Sequence, residues 1–129
     1  MKYYLKLGDI EGTGTGEYRG WIELESVKLL AEPTFTPRAS SGATKVEATK
    51  KYDVASGKIL KLHINGEPQP AKIEIVATKP STITEIELKN AIVTFYAVGS
   101  ESKGGSPIES ITLHFTEFKQ QTFYLETPE

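Results

Sequence analysis

Ile83-Thr84-Glu85-Ile86-Glu87-Leu88-Lys89-Asn90-Ala91-Ile92-Val93-Thr94-Phe95-Tyr96-Ala97-Val98 is the stretch on which the fold turns. In its first half Ile86 and Leu88 alternate with Glu85 and Glu87, the period-two pattern of a strand with one buried face. In its second half the inward set becomes Ala91, Val93 and Phe95, so the parity changes partway along. A bulge or bend near Lys89-Asn90 would keep both halves on one core.

The same alternation recurs on either side. Tyr3, Leu5 and Leu7 alternate with Tyr4, Lys6 and Gly8. Between Trp21 and Leu30, Ile22 and Leu24 share one face and Val27 and Leu29 the other, a switch that predicts a bulge. Lys45 to Tyr52 reads as a strand, as does Ala71 to Ala77, with Ile73 and Ile75 inward against Lys72 and Glu74. The last two strands are Ile108 to Glu117, with Ile111, Leu113 and Phe115 inside, and Phe118 to Leu125.

One stretch has helical spacing. Asp53 is an N-cap candidate, Ala55, Ile59, Leu60 and His63 recur along Val54 to Asn65, and Gly66 suits the left-handed C-terminal position. Pro68 and Pro70 forbid continuation. Short strands with a single helix favour an antiparallel β-barrel of two packed sheets with the helix on its side, because closure removes exposed edges. The chain is therefore expected to be mainly β.

The chain has 129 residues, the size of one domain, and a single domain over residues 1–129 is expected. It contains no Cys, which removes thiolate chemistry and Cys-based zinc sites. With 15 Lys+Arg against 17 Asp+Glu, scattered rather than grouped in a stripe, nucleic acid is a poor partner. No apolar run is long enough to cross a bilayer, and the N-terminus lacks the apolar core of a secretory leader. A protein made in the cytoplasm without membrane insertion is expected.

Several residues invite a chemical reading and do not sustain it. Gly12, Gly14 and Gly16 lack the spacing and the following helix of a dinucleotide loop, since Glu17 and then a strand come next. The two histidines, His63 and His114, are too few for a metal cluster, and His114 alternates with Thr112 and Thr116 on a polar face. Ser56 and His63 are two helical turns apart, too far for a nucleophile and its base. Glu23/Glu25 and Glu85/Glu87 lie two apart on strands and read as a solvated face. Trp21 and the tyrosines are spread over the chain and read as packing rather than a binding ladder. No catalytic residue, metal or cofactor is expected.

The order of blocks resembles the haemolysin-coregulated protein (Hcp) family. Tyr4-Leu5-Lys6-Leu7-Gly8-Asp9-Ile10-Glu11-Gly12, then Gly20-Trp21-Ile22-Glu23-Leu24-Glu25-Ser26, is similar to the family's N-terminal hairpin. Asp53-Val54-Ala55-Ser56 with Leu60, Lys61 and Gly66 looks like its helix start. Ala91 to Gly99 with Ser102 to Gly105, and Glu109-Ser110-Ile111-Thr112-Leu113-His114-Phe115 with Lys119-Gln120, look like its long strand, its loop and its closing segment. Val27 and Leu29 stand where the family often carries aromatics.

The resemblance implies a non-enzymatic tube subunit of a type VI secretion system. Such subunits form rings, usually of six, that stack into a tube ejected to the extracellular space. The implied partners are further copies of the chain, other secretion-system components and effector proteins carried in the tube. In the family the loop equivalent to Glu32 to Thr44 reaches toward the adjacent ring, which makes Pro33, Phe35 and Pro37 stacking candidates. Ile92, Tyr96 and Val98, opposite Val93 and Phe95, are expected to meet the helix or a neighbouring subunit. Two rival readings are a monomeric barrel that binds a small ligand and a tail-tube-like protein of another contractile injection machine.

Overall fold

The computed structural model describes residues 1–31, 43–99 and 105–124. Its strands are β1 (Lys2–Leu7), β2 (Ile22–Leu24), β3 (Ser26–Ala31), β4 (Ala43–Lys51), β5 (Gln69–Thr78), β6 (Ser81–Gly99), β7 (Ile108–His114) and β8 (Glu117–Tyr124). One helix, α1 (Ser56–Asn65), lies between β4 and β5. All pairings are antiparallel, in the order β2-β1-β5-β6-β7-β4-β3, with β8 paired to β6 off this path. The fold is mainly β with one helix, as the alternation predicted. The sheet is not closed, but its two ends, β2 and β3, are consecutive in the chain and separated only by Glu25.

Two corners make this path wrap around a core. At Glu25 the chain leaves β1, its partner in one sheet, and joins β4 in the other, and the Glu25 N–H donates to the Thr49 carbonyl at 2.7 Å. The parity switch between Leu24 and Val27 is thus a change of sheet between two strands, where the sequence had predicted a bulge within one. At the second corner β6 crosses over. Residues 81–89 pair with β5 and β8, and residues 92–99 pair with β7. Asn90, with φ 54°, sits at the bend that the sequence places near Lys89-Asn90. Asn is one of the few residues that adopts a left-handed backbone at modest cost.

The two sheets enclose one apolar core. Leu5, Leu7, Ile22, Ile73, Ile86 and Leu88 face Val46, Ala48, Val93, Ile111 and Leu113, and Ile59 of α1 joins them. Each buried aliphatic side chain stabilises the fold by about 1.5–3 kcal/mol relative to exposure. Phe95 departs from the sequence reading. Val93 pairs with Leu113 but Phe95 pairs with Thr112, so Thr94 is an extra residue, and the bulge turns Phe95 outward with 52% of its surface exposed. Tyr96 moves inward beside Ile111 and packs on the core.

The helix starts at Ser56, later than the periodicity suggested. Asp53 still organises its entry: its carboxylate accepts from the Ala55 N–H at 2.9 Å, while its own N–H donates to Ser56 Oγ at 2.8 Å. Gly66 ends the helix with φ 61°, the Gly66 N–H donating to His63 O and the Glu67 N–H to Leu62 O. That pair of bonds is the Schellman pattern. Among the described residues no helix is long and apolar enough to cross a membrane.

Candidate functional site

The strongest concentration of chemistry is a buried charged centre where β4, β6, β7 and the start of α1 meet. Lys50 and Glu109 have no exposed surface and pair directly across β4 and β7. Lys50 Nζ donates to Glu109 Oε1 at 2.5 Å, Asp53 Oδ1 at 2.8 Å and the Lys51 carbonyl at 2.9 Å, with Ser56 Oγ at 3.4 Å. The Tyr96 hydroxyl donates to the other oxygen of Glu109. Burial, then the hydrogen bond to Glu109 and its charge, push the Tyr96 phenol above its ordinary range, so it stays protonated and remains a donor.

This centre was missed in the sequence, yet a signal was there. Lys50 shares inward parity with Val46 and Ala48, and Glu109 shares it with Ile111 and Leu113. Two opposite charges on the inward faces of two strands point to a buried pair. The arrangement is saturated: every donor of the ammonium has an acceptor, and the tyrosine closes the second carboxylate oxygen. That is a tie, with no group left to bind or attack a ligand. It joins the helix start to three strands.

The histidines also serve structure. His63 Nδ1 lies 2.8 Å from the Val93 carbonyl, and because a carbonyl only accepts, Nδ1 carries the proton. The helix thereby covers the edge of the second half of β6. His114 is exposed and meets Thr94 Oγ1 at 2.7 Å. Among the described residues no group of three or more His, Asp or Glu side chains is placed to hold a metal ion.

Aromatic residues scattered in the sequence come together on the outside of the first sheet. Tyr4 and Tyr18 stack in parallel at 3.9 Å, Trp21 meets Tyr18 edge-on at 5.3 Å, and Lys6 Nζ lies 5.7 Å from the Trp21 ring centre. Tyr18 also donates to Glu74 at 2.7 Å, and burial followed by that bond raises its pKa. The glycines singled out earlier serve this packing. A Cβ on Gly14 would lie 2.2 Å from the Tyr18 carbonyl, so the loop closes on the sheet only with glycine there. The lysines nearby are paired, Lys72 with Glu85 and Glu87 and Lys89 with Glu117.

The predicted assembly residues fall in different places. Pro33, Phe35 and Pro37 lie outside the described residues. Ile92 is half-buried and pairs with His114, one residue before the inward Val93. Tyr96 faces inward and is committed to Glu109, so its expected place on the outward face is corrected by the bulge at Thr94. Val98, beside Glu109 at the end of β6, keeps 46% of its surface exposed. Phe95 is the outward aromatic that replaces Tyr96. It borders a groove of about 690 Å³ across the second sheet, with Lys28, Lys45, Glu47, Thr112 and His114.

A family profile described as "Type VI secretion system effector, Hcp" matches residues 4–122. Among solved structures, Hcp1 from Salmonella typhimurium superposes with a TM-score of 0.77 at 21% identity, over 92% of this chain and 84% of that one. Hcp1 from the E. coli EAEC 042 pathovar gives 0.77 at 16% identity, over 96% and 99%. A type VI secretion system effector from Yersinia pestis gives 0.74 at 15% identity, over 95% and 99%. No curated protein sequence matches this chain significantly.

Proposed function

Since the chain belongs to the Hcp family of type VI secretion systems, we propose that it is a tube subunit whose copies close into rings, six to a ring, that stack and carry effectors out of the cell. The observation that carries this reading is the family match across residues 4–122, supported by a fold with saturated internal chemistry and apolar side chains left on its surface. Its work is mechanical, with no substrate turned over. Phe95, Val98, Leu60 and Ile64 are exposed on β6 and α1, and Phe123 and Tyr124 on β8. A head-to-tail ring needs two different patches on one subunit, and these provide them.

Ile92 and Val98 stand as ring-interface candidates, and Pro33, Phe35 and Pro37 as stacking candidates. The test is the mass of the native particle by light scattering across protein concentration and salt. A closed oligomer near six times 14.2 kDa is expected. A strict monomer at every concentration would turn the assignment toward the ligand-binding barrel.

A further inference from the structure

The least satisfied element among the described residues is β8. Seven of its eight residues are exposed, although it pairs with β6 along its whole length without a register shift. The exposed set includes Gln120, Thr122 and Tyr124, on the same side as the inward Ile86 and Leu88 of β6, so no core lies beneath most of the strand. Its second edge pairs with nothing among the described residues. Natural sheets blunt such edges with proline, bulges, charges or a covering helix. Between Glu117 and Tyr124 the only such devices are Glu117 and Lys119. The second half of β6 shows the contrast, because there α1 covers the edge through His63 and Val93.

We propose that the free edge of β8 takes up the free edge of β3 of a second copy, so that the sheets of neighbouring subunits run on into one another; this rests on the ring reading above. A self-pairing of β8 would be two-fold, would consume the edge in both copies and would stop at a dimer. A ring needs a second, different edge. β3 supplies it, because it pairs with β4 alone and carries Val27 and Leu29 on its inner side. Charge agrees with this choice. Lys28 points outward from β3 and makes no ion pair among the described residues, and the exposed Glu117 points outward from β8. In a continuous sheet these side chains share one face, where opposite charges attract across the joint.

The chain has no cysteine, which allows a clean test. Lys28→Cys, Lys119→Cys and Gln121→Cys are made singly, at exposed outward positions, mixed in pairs and oxidised mildly, with the mass of each sample followed by light scattering. Neighbouring strands bring Cβ atoms within about 4.5–5.5 Å, close enough for a disulfide. Lys28→Cys mixed with one of the β8 variants is expected to give a covalent dimer that neither gives alone. A chain carrying both cysteines is expected to give a ladder of multiples. Particles of ring mass without any mixed cross-link, or cross-links within a β8 variant alone, would overturn the edge pairing and leave the ring standing. A strict monomer would overturn both.

Discussion

Removing the Lys50 ammonium would strand two carboxylates, one of them wholly buried. Lys50→Met is expected to cost about 3–5 kcal/mol in urea denaturation, the usual penalty for breaking a buried pair from one side. Lys50→Met with Glu109→Leu is expected to recover a large part, because two apolar side chains need no counter-charge. If the single and double variants were equally unstable, the loss would come from packing and not from charge. At this scale the sequence was read unevenly. Parity put Leu5, Ile73, Ile86 and Leu113 inside correctly, because one buried face leaves a plain alternation. It failed at Phe95 and Tyr96, because one extra residue at Thr94 inverts every side chain after it and leaves no mark in composition. Lys50 and Glu109 were hidden for another reason: charge is ordinarily taken as a sign of solvent, and here parity was the better guide.

Among the elements, β6 depends on its bend. Asn90 holds φ 54°, a conformation that a β-branched residue resists at about 1–2 kcal/mol. Asn90→Val is therefore expected to lower stability by that amount in urea titration, while Asn90→Gly leaves the midpoint nearly unchanged. Equal effects of the two would mean that the Asn90 side chain, which donates to Thr116 at 3.1 Å, matters more than the backbone. The bend was legible because a strand that keeps one core must change parity where it turns. The corner at Glu25 was legible only as a parity switch, since nothing local distinguishes a bulge from a strand that changes partners. The helix was placed by Gly66 and the two prolines, yet its start slipped because Asp53 is drawn into the Lys50 centre.

For the whole molecule, the candidate surfaces were less legible than the fold, because a surface is defined by what it meets. Phe35→Asp is expected to weaken stacking of rings into tubes, seen by electron microscopy and sedimentation, while the mass of the single ring and the circular dichroism stay unchanged. The reason is that a charge at a desolvated contact must lose its water. Tubes as long as those of the parent chain would remove that loop from the stacking surface. The passage of β6 through both sheets has a further consequence, for the way the subunit resists force. β5, β7 and β8 are all laced to this one strand, so neither sheet can peel away while the other stays intact. A subunit pushed along a channel would hold its shape until β6 itself gave way, and would then come apart in a single step.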